Sequence, residues 1–267
     1  MAYQTEKLLI LANTYPTPSQ KHRETNCVAA INEQGNIRRL FPIPYRLLDG
    51  EGQFHKWEWI GASIQRANGD QRPESHRIDI DNIRRGYGQI STKNQWNERL
   101  RWLRPHILDS FSILEQRRQV TGETIGALGP VKLLGLEIVA EREPEWTEEE
   151  IIKLSQDGLF DSPEIQSRKL LRKLPYRFYY QYEIGGEINK HLITDWEAGT
   201  LYWNCVQRYG PKWEQYLRQK LEVEFSQKDL VLILGTVHRF PDQWLIISLV
   251  YPPKGALELP EQIPMFP

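Results

Sequence analysis

Short apolar runs of alternating period dominate the first eighty residues. "KLLILANT" (7–14), "NCVAAIN" (26–32), "NIRRLFPI" (36–43), "WEWIGASIQRA" (57–67) and "SHRIDID" (75–81) each read as a strand. Glu33-Gln34-Gly35 is a tight turn between the second and third, and Gly50 and Gly52 mark a loop before the fourth. Five short strands in so little chain predict a small barrel or half-open sheet.

The period then changes. Trp96, Leu100, Leu103, Ile107, Phe111 and Leu114 recur at steps of three and four, which predicts an amphipathic helix over 94–118, kinked or divided at Pro105. The Gly-rich "TGETIGALGP" (121–130) reads as a break, so the expected domains are 1–120, an OB-like barrel plus helix, and 121–267, a mixed α+β domain. The second part opens with a strand, "VKLLGLEIVAE" (131–141). Two helices follow, one with a Thr147-x-x-Glu150 capping box and one capped by Ser162 with Pro163 in its first turn.

"PYRFYYQY" (175–182) poses the central question about binding. As a strand it puts Tyr176, Phe178, Tyr180 and Tyr182 on one face and Arg177, Tyr179 and Gln181 on the other. Exposing the uniformly aromatic face would create a large apolar patch, so that face is expected to be core and Tyr179 to be the available ring. Gly185-Gly186 turns the chain into "EINKHLIT", a hairpin over 176–194. A helix over about 195–208, another from Pro211, and two apolar strands, "DLVLILGTVHRF" and "WLIISLVYPP", complete an α+β fold.

The 267 residues carry 9 Trp and 12 Tyr, an aromatic surplus that suits sheets and surfaces for flat ligands. The net charge of −1 is uneven: 18 basic against 13 acidic residues through 118, and 16 against 22 after it. A basic first half is compatible with a phosphate-facing surface. Two distant cysteines, Cys27 and Cys205, argue against a disulfide framework or zinc site. The first residues lack the pattern of a secretory leader, and no apolar run is long enough to span a membrane. A cytoplasmic protein without a membrane partner is therefore expected.

Enzyme signatures fail. There is no phosphate-loop motif, no His-Glu-x-x-His and no Gly-x-Ser-x-Gly. Gly86-Tyr87-Gly88 opens like a dinucleotide fingerprint but lacks the third glycine. No lysine has Asp or Glu two positions before it, which counts against the commonest nuclease arrangement. Asp195 and Glu197 in "TDWE" suit a divalent ion, the basis of an alternative reading as a metal-dependent phosphodiesterase or nuclease. Thr194-x-x-Glu197 is also a helix-capping box, the better-supported reading. No catalytic residue, metal ligand or cofactor is assigned.

Basic and aromatic residues interleave at Arg38-Arg39 near Phe41, Arg84-Arg85 before Tyr87, and Arg177 beside Tyr179. Single-stranded nucleic acid suits that pattern, because cations track phosphates and rings stack on bases at roughly 1–3 kcal/mol each. Arg38, Arg39, Arg84, Arg85 and Arg177 are the expected phosphate ligands, and Tyr179 the stacking ring.

Leu11-Ala12-Asn13, Cys27-Val28-Ala29-Ala30 and the arginine-bearing strand from Arg38 to Pro42 resemble the opening of bacterial dual OB-fold-containing proteins over about the first ninety residues. Leu40-Phe41, between the arginines and the proline, departs from that pattern. The order of the later elements resembles a recurring uncharacterised bacterial type. The OB resemblance implies an oligonucleotide-binding surface and no catalytic residue. The expectation is a nucleic-acid-binding accessory protein, in a bacterial defence or mobile-element setting, with a protein partner encoded nearby. A subunit whose aromatic surplus forms a protein interface is the other alternative.

Overall fold

The computed structural model describes residues 2–48, 52–155 and 170–258. Gly50 and the expected cap at Ser162-Pro163 lie outside them. The chain forms two compact units: 1–89 with 138–178 and 194–199, and 90–137 with 179–193 and 200–267.

In the first unit the alternating runs become β1 (Gln4–Asn13), β3 (Arg23–Asn32), β4 (Ile37–Ile43), β5 (Trp59–Arg66) and β6 (Ser75–Ile78), with a short β2 (Thr17–Ser19) added on β3. Strand neighbours run β1-β5-β6-β4-β3, and a β1–β3 pairing closes the ring into a barrel. All pairings in the ring are antiparallel except β4–β6. Numbered along the chain, the five barrel strands neighbour one another in the order one-two-three-five-four-one. That Greek-key connectivity is OB-like.

Period-two alternation sets the barrel core. Leu8, Ile10, Val28, Ala30, Leu40, Ile60, Ala62, Ile64 and Ile78 point inward and are buried. Each buried Leu, Ile or Val side chain contributes about 1.5–3 kcal/mol, so this alternation holds the barrel closed. Register shifts between Ile10 and Ala12 on β1, and between Asn26 and Val28 on β3, bend the strands where the barrel must curve.

The second unit is built on a seven-stranded sheet in the order β7-β8-β12-β13-β11-β10-β9. Its strands are β7 (Ile107–Leu108), β8 (Ile125–Leu128), β9 (Lys132–Ala140), β10 (Tyr176–Ile184), β11 (Glu187–Ile193), β12 (Val231–Thr236) and β13 (Trp244–Val250). The ends of β9 and β10, 138–140 and 176–178, group with the first unit. Antiparallel pairings join β8 to β12, β12 to β13 and β10 to β11, whereas β7–β8 and β11–β13 are parallel.

One expectation needs correction, and the division expected at Pro105 is found. The Gly-rich stretch expected to break the chain contains β8, an inner strand of this sheet. Gly126 is there because helix α2 (Phe111–Thr121) lays Leu114 directly over the strand, where a Cβ would collide with Leu114 Cδ1. The expected helix over 94–118 is two helices, α1 (Asn97–Leu103) and α2, separated at Pro105 by a 3₁₀ turn and β7. Asn94, Gln95 and Trp96 all have positive φ, so the right-handed helix starts only at Asn97.

The capping box at Thr147–Glu150 forms in full and opens α3 (Glu148–Leu154), which packs on β2 and β3 within the first unit. Two further helices, α4 (Trp196–Tyr209) and α5 (Trp213–Arg218), follow the hairpin β10–β11. On β10, Phe178, Tyr180 and Tyr182 are buried, as the alternation predicts, and Tyr180 donates its hydroxyl proton to the Leu221 carbonyl. Strand β9 ends the sheet, and Arg218 and Glu222 occupy the Leu136 carbonyl and N–H on its outer edge. Those contacts protect an edge that would otherwise template pairing with another chain.

Candidate nucleic-acid interface

Adjacent residues of a strand point to opposite sides, and this separates Arg38 from Arg39. Arg38 shares the parity of Leu40 and turns to one mouth of the barrel. There its Nε and Nη2 donate to the two carboxylate oxygens of Glu6, each at 3.0 Å. Asn32 also donates to Glu6 at 3.0 Å. Burial pushes the Glu6 carboxyl up, but the hydrogen bonds from Arg38 and Asn32 outweigh it and leave the group below its ordinary range. Arg39 turns outward, yet it is only 3% exposed and pairs with the buried Glu74 at 3.4 Å. Its Nη1 also reaches Cys27 Sγ at 3.4 Å.

Arg85 forms a two-point pair with Glu58, at 2.7 and 3.2 Å. Arg177 does the same with Glu141. The ring of Tyr179, half-buried on β10, has the Lys190 ammonium 5.0 Å from its centroid. Of the six residues the sequence singles out, four arginines are therefore held by carboxylates.

Arg84 differs. It is exposed, and its guanidinium meets the carbonyls of Asp81 and Ile83, with the Asn82 side chain at 3.5 Å. Its backbone exchanges two 2.8 Å hydrogen bonds with Gly61, so the 84–89 stretch continues the sheet along β5. This carries Tyr87 over Gly61 on the outside of the barrel. A Cβ at Gly61 would lie 3.1 Å from the Tyr87 ring, so the absence of a side chain is what seats the ring.

Around that contact the β1–β5 face collects further groups. Outward alternation brings Lys7 opposite Gly61 and Leu9 opposite Trp59. The Lys7 ammonium stands 5.2 Å from the Trp59 ring centroid and 5.6 Å from that of Tyr87, and Glu33 is 3.3 Å away. Arg77, opposite Gln65 on the same outer side, is exposed and has no ion pair among the described residues. Tyr87 is 50% exposed. Cations beside a half-open ring and a second, partly exposed ring form a face that can meet phosphates and stack bases. Lys7 and Trp59 escaped the interleaving pattern in the sequence because only strand pairing brings them to Tyr87.

Asp195 and Glu197 have a structural task. Asp195 is 3% exposed and accepts the Glu197 N–H at 2.7 Å, so it caps α4 in the position expected of Thr194. Lys56 Nζ lies 3.5 Å from Asp195 and 3.2 Å from Glu197. The charge that a divalent ion would answer is met by that ammonium. Among the described residues no group of three or more His, Cys, Asp or Glu is placed to hold a metal ion. His191 bonds the Tyr182 hydroxyl through Nδ1 at 2.9 Å, and burial pushes its pKa down to about 4. Among the described residues no helix is long and apolar enough to cross a membrane.

Residues 108–266 match the family model described as "Domain of unknown function (DUF8757)", and residues 4–105 match "Domain of unknown function (DUF8758)". A comparison with curated proteins finds no match. Among solved structures, the chain is similar to the tetrameric p202 HIN2, at 8% identity and a TM-score of 0.31, covering 94% of this chain and 92% of that one. It is also similar to a replication protein A heterotrimer bound to ssDNA, at 7% identity and a TM-score of 0.30, covering 96% and 67%. At these TM-scores neither likeness carries a conclusion.

Proposed function

The chain belongs to the family described as Domain of unknown function (DUF8757), and we propose that its OB-like barrel binds single-stranded nucleic acid on the outer β1–β5 face. The observation that supports this most is the seating of Tyr87 over Gly61 beside Lys7, Trp59 and Arg84. Lys7, Arg77 and Arg84 track the phosphates, while Tyr87 and Trp59 offer ring faces to bases. Such contacts read charge and stacking, so the strand is held with little sequence preference. Arg38, Arg39, Arg85 and Arg177 serve the protein itself through their carboxylate partners.

The test is fluorescence anisotropy of a labelled oligodeoxythymidylate titrated with the full chain across a salt series. The three phosphate contacts of the barrel contribute a slope of about −2 to the fall of log K with log salt. No binding at low salt would sink the reading. Tyr87→Ala should weaken binding by about 1–3 kcal/mol, the value of one stacked base.

A further inference from the structure

We propose that the second unit carries a separate contact for single-stranded nucleic acid, in which a base stacks on Tyr216 while Arg208 and Lys212 hold the flanking phosphates. It rests on the reading of the protein as a nucleic-acid binder, but on a different surface and a different observation. Tyr209 and Tyr216 are stacked, with ring centroids 3.5 Å apart and planes 9° from parallel. Gly210, at φ +52°, turns the chain between α4 and α5 and so lets rings seven positions apart meet.

One face of Tyr216 is taken by Tyr209, and the residue is still 39% exposed. A base placed on Tyr216 extends an existing stack of two rings to three. Tyr202 and Cys205, on the same face of α4 as Tyr209, are buried, as is Leu217 next to Tyr216 on α5, so the ring pair sits on packed helices and little ordering entropy opposes the contact.

The charges nearby are complementary to a phosphate chain. Arg208 and Lys212 are exposed and have no ion pair among the described residues. The Arg208 guanidinium stands 5.8 Å from the Tyr209 ring centroid. The adjacent acid, Glu214, is engaged by Arg218 at 2.8 Å. Arg208, next to Tyr209 in the chain, and Lys212, four residues before Tyr216, suit a strand of phosphates and bases, whereas an apolar partner would leave both charges unanswered.

The experiment uses the full chain, oligodeoxythymidylate carrying photoreactive 5-iododeoxyuridine, and two variants. The triple variant Arg208→Gln/Lys212→Gln/Tyr216→Ala should bind about ten-fold or more weakly. Its salt slope should flatten by about 1.4, the share of two phosphate contacts. Irradiated wild type should crosslink at Tyr216, a result that does not depend on how the variant folds. If Tyr87→Ala weakens binding while the triple variant binds like wild type and no crosslink falls on Tyr216, this second contact is overturned and the barrel reading survives. If wild type binds no oligonucleotide at low salt, the barrel reading falls and takes this one with it. If the triple variant instead loses self-association with its affinity intact, the ring pair belongs to a protein interface and the proposal is wrong.

Discussion

The arginines of β4 and the cations of the β1–β5 face occupy the same barrel and carry the same charge, but they meet different partners. Arg38 is clasped by Glu6 and Arg39 is buried on Glu74, whereas among the described residues Arg77 and Arg84 are exposed without a carboxylate, and Lys7 stands over two rings with only a solvent-exposed pairing to Glu33. A buried, paired arginine has already exchanged its water for a carboxylate. A phosphate must displace that carboxylate and leave it uncompensated, which costs more than the new contact returns. An exposed cation carries no such penalty. The difference shows that basic residues interleaved with aromatics in a sequence mark two kinds of site, one that holds the fold and one free to bind.

The largest expected effect breaks the buried side of this comparison. Arg39→Ala takes the guanidinium away from the buried Glu74 carboxylate and should lower unfolding free energy by about 3–5 kcal/mol in urea denaturation. Arg84→Ala, on the open side, should stay within about 0.5 kcal/mol of wild type in the same measurement. If Arg39→Ala were as mild as Arg84→Ala, the division between holding and binding residues would fail.

Next in size is the ring contact. Gly61→Val crowds Tyr87 from its seat, and oligonucleotide affinity should fall several-fold, approaching the Tyr87→Ala value of about 1–3 kcal/mol. Unchanged affinity in Gly61→Val would mean that the seating of the ring has no part in binding.

A smaller effect is expected from acid. The folded-state pKa of Glu6 is lowered by Arg38 and Asn32, so the unfolded chain takes up the proton first as pH drops. The stability that Glu6 contributes is full above its unfolded pKa and is lost as pH falls through the lowered folded value. Thermal midpoints measured below the ordinary glutamate range should fall less steeply in Glu6→Gln than in wild type. Parallel slopes would show that the Glu6–Arg38 pair does not contribute.

Much of the fold was legible because it is local. Alternation located five barrel strands and the buried face of Phe178, Tyr180 and Tyr182, and the Thr147–Glu150 pattern located a helix start. Gly126 misled because glycine is a turn signal in sequence, whereas here it admits Leu114 against an inner strand. The binding face was the least legible part. Glu6 and Arg38 are 32 positions apart, Arg39 and Glu74 are 35, and Arg177 and Glu141 are 36. Which arginine finds a carboxylate is decided by barrel closure and strand register, and neither is written within a local window. Lys7, Trp59 and Tyr87 meet for the same reason, across β1, β5 and the strand that continues along Gly61.

The most direct test is the salt dependence of oligodeoxythymidylate binding by two variants, one lacking two exposed cations that have no ion pair among the described residues and one lacking two carboxylate-paired arginines. Arg77→Gln/Arg84→Gln should flatten the slope of log K against log salt by about 1.4, while Arg38→Gln/Arg177→Gln, if folded by circular dichroism, should retain the wild-type slope. A flattened slope in the second variant with an unchanged slope in the first would place the phosphates on the paired arginines and contradict the account.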